Sequence, residues 1–159
     1  MSDMYCEYRG ARYKIKKRKG EYIVTSRQRK EGFINYIDVL GNEHSDLYMK
    51  NVKVNDVDVI YTEDVFVKYK TVNFQLFEDK ITRNAVQENS YMIWTASEQL
   101  AYDYGFEKKE QFVFVKYITK EDIEAVKIVK KPILDFKDIE QSEEILEGNQ
   151  LDNWLSKLI

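Results

Sequence analysis

Apolar and polar residues alternate along short stretches of this chain, which is the pattern of half-buried β-strands. In residues 8–16, Tyr13 and Ile15 alternate with basic side chains. A strand over these residues would bury its apolar side and expose a basic side to solvent. Gly20 then supplies a turn into a second predicted strand at residues 21–26.

The same order of apolar positions occurs twice along the chain. Residues 5–61 align with residues 66–127 if short gaps are allowed. The matched positions at the start of the two stretches are Tyr8 with Tyr69, Tyr13 with Phe74, and Ile15 with Leu76. Because order and alternation both match, we predict two tandem, pseudo-symmetric ββ(α)ββ repeats, residues 5–64 and residues 65–131.

The middle of the repeat differs between the two copies. In the second copy, Ser97 is placed to cap the N-terminus of a short helix, and Gly105 is placed to end it. The corresponding residues 26–33 are fewer, and they predict a single turn or a loop. The next strand of the second copy, residues 111–118, is almost entirely apolar, which predicts a central strand covered on both faces.

A bend is predicted before the last strand of each repeat. Asp56 and Asp122 occupy equivalent positions at the two bends. A short acidic side chain at a bend accepts hydrogen bonds from nearby backbone N–H groups. We therefore expect both carboxylates to stabilise their bends.

The last part of the chain, residues 132–159, has a helical pattern. Asp138 is placed as a cap, and Ile139, Ile145 and Leu146 follow helical spacing. Gly148 interrupts this helix. A second short helix over Leu151–Leu158 would present four apolar side chains on one side, namely Leu151, Trp154, Leu155 and Leu158. We predict a single α+β domain, residues 1–159, mainly antiparallel β, with this C-terminal helical tail packed on the sheet.

Composition indicates a folded chain in a reducing compartment. The chain is 43% hydrophobic and 33% charged, with one proline and six glycines. Cys6 is the only cysteine, so an internal disulfide is impossible. Residues 1–12 lack the apolar core of a signal peptide, and the chain has no long apolar run. We expect a cytoplasmic protein that does not enter a membrane.

Residues with catalytic or metal-binding chemistry are scarce. His44 is the only histidine, and it lies among turn-forming residues, which indicates an exposed loop. With one cysteine and one histidine, the chain lacks the ligands of an ordinary zinc site. The glycines are isolated, so no phosphate-binding loop is formed. We predict no catalytic, metal-binding or cofactor-binding residues, and an enzyme with an unrecognised carboxylate site is the least favoured hypothesis.

Charge is distributed unevenly, and this predicts two candidate partner-binding regions. The first is basic and comprises Arg12, Lys14, Lys16 and Arg18. The second is acidic and comprises Glu140, Glu143, Glu144 and Glu147. Such segregation indicates contact with a protein partner, and the basic region also suggests a nucleic-acid-binding module as the alternative. Both sets also fit solvated surface charge, with the basic residues preventing edge-to-edge pairing of strands.

Three segments of the chain resemble a group of small bacterial proteins. They are Tyr8 to Ile15, Ser97 to Phe106, and Phe114 to Ile118. Similar hairpins, short helices ending in Gly-Phe, and strands of this type occur in immunity proteins of bacterial polymorphic or contact-dependent toxin systems. The resemblance implies a non-catalytic cytoplasmic protein that neutralises one cognate toxin by occluding its active site. It transfers no individual site residue to this chain.

Overall fold

The fold divides into two compact units. A computed structural model describes residues 3–76 and 86–156. Unit 1 comprises Met1–Glu63 and Lys130–Ser142, and unit 2 comprises Asp64–Val129 and Glu143–Ile159. Within the described residues the strands pair antiparallel and two α-helices are present, one of them C-terminal. The predicted α+β class with mainly antiparallel strands is therefore confirmed.

Unit 1 is built on six strands that pair in the order β4-β5-β3-β2-β1-β6. Their bounds are β1 (Met4–Tyr8), β2 (Ala11–Arg18), β3 (Glu21–Ser26), β4 (Ile34–Ile37), β5 (Glu43–Val52) and β6 (Val59–Tyr69). The last of these passes from unit 1 into unit 2 after Glu63. Strand β4 and the first residues of β5 have no counterpart among the predicted strands.

The hairpin that joins β1 to β2 corrects the strand predicted over residues 8–16. Arg9 has φ 51° and Gly10 has φ 76°. Two successive residues with positive φ make the tight turn that suits the twist of a two-residue hairpin. The chain therefore reverses between Tyr8 and Ala11, and only the part from Ala11 onward is the predicted strand.

Tyr13 and Ile15 point into the core of unit 1, as the alternation predicted. Ile15 is buried, and the ring centroid of the partly buried Tyr13 lies 5.5 Å from that of Phe33. The buried residues of this cluster are Cys6, Tyr8, Ile15, Val24, Phe33, Val52, Val57 and Ile60. A second, smaller cluster in the same unit contains Ile23, Tyr36 and Met49, with Leu47 packed against it.

Both predicted bends are confirmed. Asp56 ends the 3₁₀ turn Val54–Asp56, and its Oδ2 accepts the backbone N–H of Lys53 at 3.1 Å. Asp122 ends the turn Lys120–Asp122, and its Oδ2 accepts the backbone N–H of Thr119, also at 3.1 Å. Each carboxylate thus satisfies a donor at the start of its turn, where the turn itself supplies no partner.

The described residues after β6 contain six further strands and two helices, most of them in unit 2. The strands are β7 (Val72–Leu76), β8 (Tyr91–Thr95), β9 (Glu107–Glu110), β10 (Val113–Ile118), β11 (Ala125–Pro132) and β12 (Ser142–Leu146). The helices are α1 (Glu98–Tyr104) and α2 (Gly148–Ser156). Strand pairing follows the order β6-β7-β8-β10-β9, and β11 pairs with β6 and β12.

Helix α1 has the predicted caps. The Oγ of Ser97 accepts the backbone N–H of Leu100 at 3.2 Å, and Gly105 ends the helix with φ 76°. The strand predicted to be covered on both faces, now β10, is not. Tyr117 is 62% exposed, and the buried side chains are those of Val115 and Ile118. The apolar run therefore places an aromatic side chain in solvent.

The tail corrects the prediction of a helix after Asp138. Ser142–Leu146 form strand β12, which pairs with β11. The ladder supplies backbone hydrogen bonds that a short, acid-rich helix would have to form alone, so tertiary pairing overrides the local helical spacing. The second predicted helix is present as α2, but it begins at Gly148, where a break was predicted; Leu151 and Leu155 are buried in the core of unit 2. Leu158 lies outside the described residues.

Candidate partner-binding surface

The predicted basic residues share one face of β2. Arg12, Lys14, Lys16 and Arg18 alternate with the inward-facing residues of the strand, and we call this set the basic face. Tyrosine rings from two other strands contact its cations: Tyr5 from the adjacent strand β1, and Tyr36 from β4, which lies three strands away in the sheet. Sequence reasoning missed these rings because only the fold brings them to the basic face.

Arg12 is held in place by an ion pair. One of its terminal nitrogens lies 2.9 Å from Oε2 of Glu63, whose side chain is only 6% exposed, whereas that of Arg12 is 45% exposed. The guanidinium also lies 4.0 Å from the ring centroid of Tyr5. Burial by itself lowers the pKa of Arg12, but the Glu63 carboxylate outweighs it and the pKa is raised. Arg12 therefore neutralises a buried acid as well as contributing positive charge.

Tyr61 is buried beneath Tyr5, next to Arg12. Its ring stacks on that of Tyr5 with the centroids 6.1 Å apart, and its hydroxyl donates to Oε1 of Glu7 at 3.3 Å. Burial raises the pKa of Tyr61 to about 12. The ammonium of Lys130 lies 5.2 Å from the same ring. Cations thus cover the aromatic rings, and Tyr5 and Tyr61 are both buried.

The other three cations of the basic face have weaker or more exposed contacts. Lys14 pairs with Asp3 at 3.3 Å, and both side chains are largely exposed. Lys16 donates to the hydroxyl of Tyr36, with its ammonium 4.5 Å from the ring centroid. Arg18 donates to the carbonyl oxygen of Ile37 at 2.7 Å. Lys16 and Arg18 are therefore tied to strand β4.

An open pocket lies beside Lys14 and Lys16. Its volume is about 210 Å³, and its lining includes Asp3, Met4, Lys14, Lys16, Tyr36 and Leu47. Two lysines and a phenol hydroxyl provide polar groups, and Met4 and Leu47 provide apolar walls. We call it the Tyr36 pocket.

The β4–β5 hairpin carries an exposed apolar segment, defined as Ile34, Ile37, Val39 and Leu40. Ile34 is 58% exposed, Val39 76% and Leu40 84%. Exposed apolar side chains are ordinary when scattered, but a group within a few positions indicates a contact surface. The segment adjoins the basic face, because Lys16 and Arg18 contact Tyr36 and Ile37.

The turn of this hairpin is organised by Asp38. Its Oδ1 accepts the backbone N–H groups of Leu40 and Asn42, each at 2.9 Å, and its Oδ2 lies 3.0 Å from Nε2 of His44. The hydrogen bond from His44 lowers the pKa of Asp38 to about 2. His44 lies in β5 and not in a loop as predicted, because a register shift after Asn35 brings it opposite Tyr36.

The predicted acidic residues do not form one helical face. Glu140 precedes β12 and belongs to unit 1, whereas Glu143, Glu144 and Glu147 belong to unit 2. All four are exposed, and Glu143 lies 3.6 Å from Nζ of Lys127. The strand conformation of Ser142–Leu146 separates side chains that a helix would have aligned.

Chemically reactive groups contribute little to this surface. In the described part of the chain no group of three or more potential metal ligands comes together. Cys6 is buried, and burial raises the pKa of its thiol to about 12. A thiol with such a pKa is not a nucleophile at neutral pH. No helix among residues 3–76 and 86–156 has the length and apolar content needed to cross a bilayer.

The fold and surface define a mainly antiparallel α+β protein with a cationic and apolar face. A protein-family model described as "Uncharacterised conserved protein UCP033725" matches residues 1–135, and the chain belongs to this family. The match includes the basic face and the β4–β5 hairpin but ends before the four acidic residues. Comparison with curated proteins and with solved structures returned no match.

Proposed function

We propose that this chain is a non-catalytic protein-binding protein and that unit 1 carries the binding surface. The observation that supports this most directly is the exposed apolar segment beside Lys16 and Arg18. Protein interfaces combine exposed apolar and aromatic side chains with arginine at their centres. The acidic residues Glu143 and Glu144 beside the exposed Ile145 are a second, smaller candidate surface.

The specific function that we propose is that of an immunity-type inhibitor. It would act in the cytoplasm by occluding the active site of a cognate bacterial toxin. The cations of the basic face are already positioned by Glu63 and Tyr36, so binding would cost little side-chain entropy. Complementary charge would accelerate the encounter and select the partner.

We also propose that residues 5–64 and residues 65–131, which form most of the two units, are pseudo-symmetric copies of one module. Equivalent positions in the paired strands support this. Cys6 pairs with Tyr13 across β1 and β2, and Val67 pairs with Phe74 across β6 and β7. The second pair follows the first by 61 residues at both positions, which is the offset found in the sequence alignment.

Hydrogen bonds and ring contacts repeat in the same way. The backbone N–H of Asp58 donates to the carbonyl oxygen of Glu7 at 2.9 Å, and the backbone N–H of Glu124 donates to the carbonyl oxygen of Lys68 at 2.9 Å. Cation–ring pairs also correspond, with the ammonium of Lys50 5.5 Å from the ring centroid of Tyr8 and that of Lys116 6.0 Å from that of Tyr69. A duplicated module leaves each copy free to acquire its own surface.

The edge strands illustrate such a difference in surface. Strand β9 of unit 2 reads Glu-Lys-Lys-Glu and is fully exposed. Strand β4 of unit 1 reads Ile-Asn-Tyr-Ile and exposes both isoleucines. This difference is the reason for placing the binding surface in unit 1.

Co-expression with the neighbouring gene product tests the immunity proposal. The reading frame next to the gene for this chain is expressed alone, with the wild-type chain, and with an Ile34→Glu variant. We expect toxicity of the neighbour alone, rescue by the wild-type chain, and a complex that co-purifies. A neighbour that is harmless, or one that remains toxic and unbound beside this chain, would contradict the proposal.

Nucleic-acid binding is the alternative function, and the purified wild-type chain can be used to test it. The rings of Tyr5, Tyr36 and Tyr61 are buried beneath cations, so they are not available as stacking platforms for bases. Binding to single- or double-stranded nucleic acid that weakens steeply with salt would favour this alternative over the protein partner.

A further inference from the structure

We propose that strand β4 and the Tyr36 pocket together bind an extended acidic segment of the protein partner, which adds to unit 1 as a further β-strand. This inference rests on the proposed protein-binding function and specifies its surface and the chemistry of its ligand. Three properties of unit 1 carry it: the edge position of β4, the charge beside that edge, and the shape of the pocket.

Strand β4 is an edge strand. Within the described residues it pairs with β5 alone. The outer side of such a strand presents backbone donors and acceptors to another chain, and proteins usually protect it with charged side chains. Strand β9, an edge strand in the described part of unit 2, has this protection in Lys108 and three further charged residues. Strand β4 has no charged residue, and Ile34 and Ile37 are exposed on it.

The charge beside β4 selects an acidic segment. Lys16 reaches the side-chain hydroxyl of Tyr36, and Arg18 reaches the carbonyl oxygen of Ile37, so two cations contact residues of the edge strand. Lys14 is next on the same face. Its ion pair with Asp3 is exposed on both sides and therefore exchanges readily for another carboxylate. Asp38, the acid in the turn of the hairpin, is engaged by two backbone donors and by His44, and Glu43 lies opposite Ile37 on β5.

The Tyr36 pocket has room for one side chain of the added strand. Its volume is about 210 Å³, and it is open to solvent. Met4 and Leu47 would contact an aliphatic stem, while Lys14 and Lys16 would pair with a carboxylate at its end. Glutamate has this combination of stem and charge. Since Tyr36 belongs to β4 and also lines the pocket, one extended segment can contact both.

The alternation of a strand then gives a pattern for the ligand. Side chains on one face of the added strand would place carboxylates toward Lys14 and Lys16 and would pass Ile34, which has the same parity as Tyr36. Side chains on the other face would lie on the side of Ile37. Backbone hydrogen bonds would provide affinity, and the pocket and cations would provide specificity, as in other cases of strand addition. The occupant is therefore an extended segment in which acidic residues alternate with β-branched apolar ones.

The test uses a short peptide of alternating glutamate and valine as the probe, with the full chain labelled for NMR. We expect chemical-shift changes at the amides of Ile34–Ile37 and at Lys14 and Lys16. A peptide of the same length with lysine in place of glutamate should bind about tenfold more weakly or not at all. Shift changes confined to other strands, or equal binding of both peptides, would overturn the proposal.

Two variants and their matched controls test the surface itself. Lys14→Glu and Ile34→Glu should each weaken binding of the glutamate–valine peptide about tenfold, because one reverses a pocket charge and the other removes an apolar contact. Lys108→Glu on β9 makes the same charge reversal, and Tyr102→Glu on α1 likewise replaces an exposed large side chain by glutamate, both in unit 2, and both should leave binding unchanged. Equal loss in all four variants would indicate charge repulsion without a defined site and would refute the assignment.

N-methylation of the peptide tests strand addition. Methyl groups on every backbone nitrogen remove all of its donors while keeping the side chains, and this peptide should not bind. A peptide methylated only on alternate residues keeps one hydrogen-bonding edge intact, and one of the two possible alternations should bind. Undiminished binding of the fully methylated peptide would exclude a backbone ladder.

The two proposals fail in distinguishable ways. If the neighbouring gene product binds the Lys14→Glu and Ile34→Glu variants as tightly as the wild-type chain, the protein-binding function stands and the β4 site is wrong. If the glutamate–valine peptide binds at β4 but the neighbouring gene product neither harms the cell nor binds, the site stands and the immunity function is wrong.

Discussion

Arg12 and Glu63 form an ion pair of 2.9 Å in which the carboxylate is buried and the guanidinium is half exposed. This asymmetry gives the pair a structural importance that the other cations of the basic face lack. Removing the arginine would leave a carboxylate with little access to water, and an unpaired buried charge is strongly destabilising.

Arg12→Ala should therefore lower the free energy of unfolding by about 1–2 kcal/mol, less than for a fully buried pair because water can reach the site beside Arg12. Lys14→Ala is the matched control, since its pair with Asp3 is exposed, and it should cost less than about 0.5 kcal/mol. Urea unfolding followed by circular dichroism measures both values. Equal effects would mean that Glu63 is solvated well enough to need no partner.

The Asp38 carboxylate makes the β4–β5 hairpin sensitive to acid. Its pKa in the folded chain is about 2, below the ordinary 3.8, first because of the hydrogen bond with His44. A depressed folded-state pKa contributes stability that is complete above the unfolded value and is lost as the pH falls from 3.8 toward 2. Asp38→Asn should remove this part of the pH dependence, with NMR titration of the Asp38 carboxyl as the direct measurement. A carboxyl that titrates at its ordinary value would contradict the contact with His44.

Local sequence signals predicted the parts of this fold that are determined locally. Asp56 and Asp122 at their bends, and Ser97 and Gly105 at the ends of α1, act within a few residues of their own position. The alternation that directs Ile15 into the core is equally local. Each of these features depends on backbone geometry that a short stretch of sequence specifies.

The parts that sequence reasoning missed depend on pairing between distant segments. Residues 142–146 follow a helical spacing but form a strand because β11 offers a ladder. Tyr5 and Tyr36 reach the basic face from strands β1 and β4, and their own neighbours in the sequence do not indicate this. The contact between Asp38 and His44 depends on a register shift between β4 and β5. The only local signal for it is that the two residues flank a turn that contains Gly41.

The cap of helix α1 can be compared with the serine that the proposed duplication matches to it. Ser97→Ala should lower the free energy of unfolding by about 1 kcal/mol, because the N–H of Leu100 would lose its acceptor. Under the proposed duplication Ser97 corresponds to Ser26 of unit 1, whose Oγ accepts the N–H of Gln28 in an exposed loop. Ser26→Ala should therefore have a smaller effect in the same denaturant titration. A larger effect at Ser26 would show that the loop is more important for stability than the helix.

Cys6 should be unreactive in the folded chain. It is fully buried, and burial raises the pKa of its thiol from 9.0 to about 12. A disulfide reagent at neutral pH should modify no thiol in native protein and one thiol in guanidinium chloride, because the thiolate is the reacting species. Rapid modification of the native protein would mean that strand β1 opens readily.

The paired contacts of Lys50 and Lys116 test the proposal of a duplicated module. Each ammonium lies near the ring of an equivalent tyrosine, Tyr8 or Tyr69. Each also approaches a glycine that follows the middle segment of its unit, at 3.2 Å for Gly32 and 3.4 Å for Gly105 from the position that a Cβ would take. Replacing either lysine by methionine keeps the aliphatic stem and removes the cation, so Lys50→Met and Lys116→Met should each cost about 0.5–1 kcal/mol.

The control for this pair is Lys68→Met, which removes an exposed cation from β6 and should change the free energy of unfolding by less than about 0.5 kcal/mol. Comparable losses for Lys50 and Lys116, both larger than for Lys68, would support one module used twice, because a contact inherited by both copies should have a similar energy in each. A loss of stability at only one of the two lysines would mean that the two similar contacts contribute different free energies. In that case the duplicated contact would no longer support treating the units as equivalent.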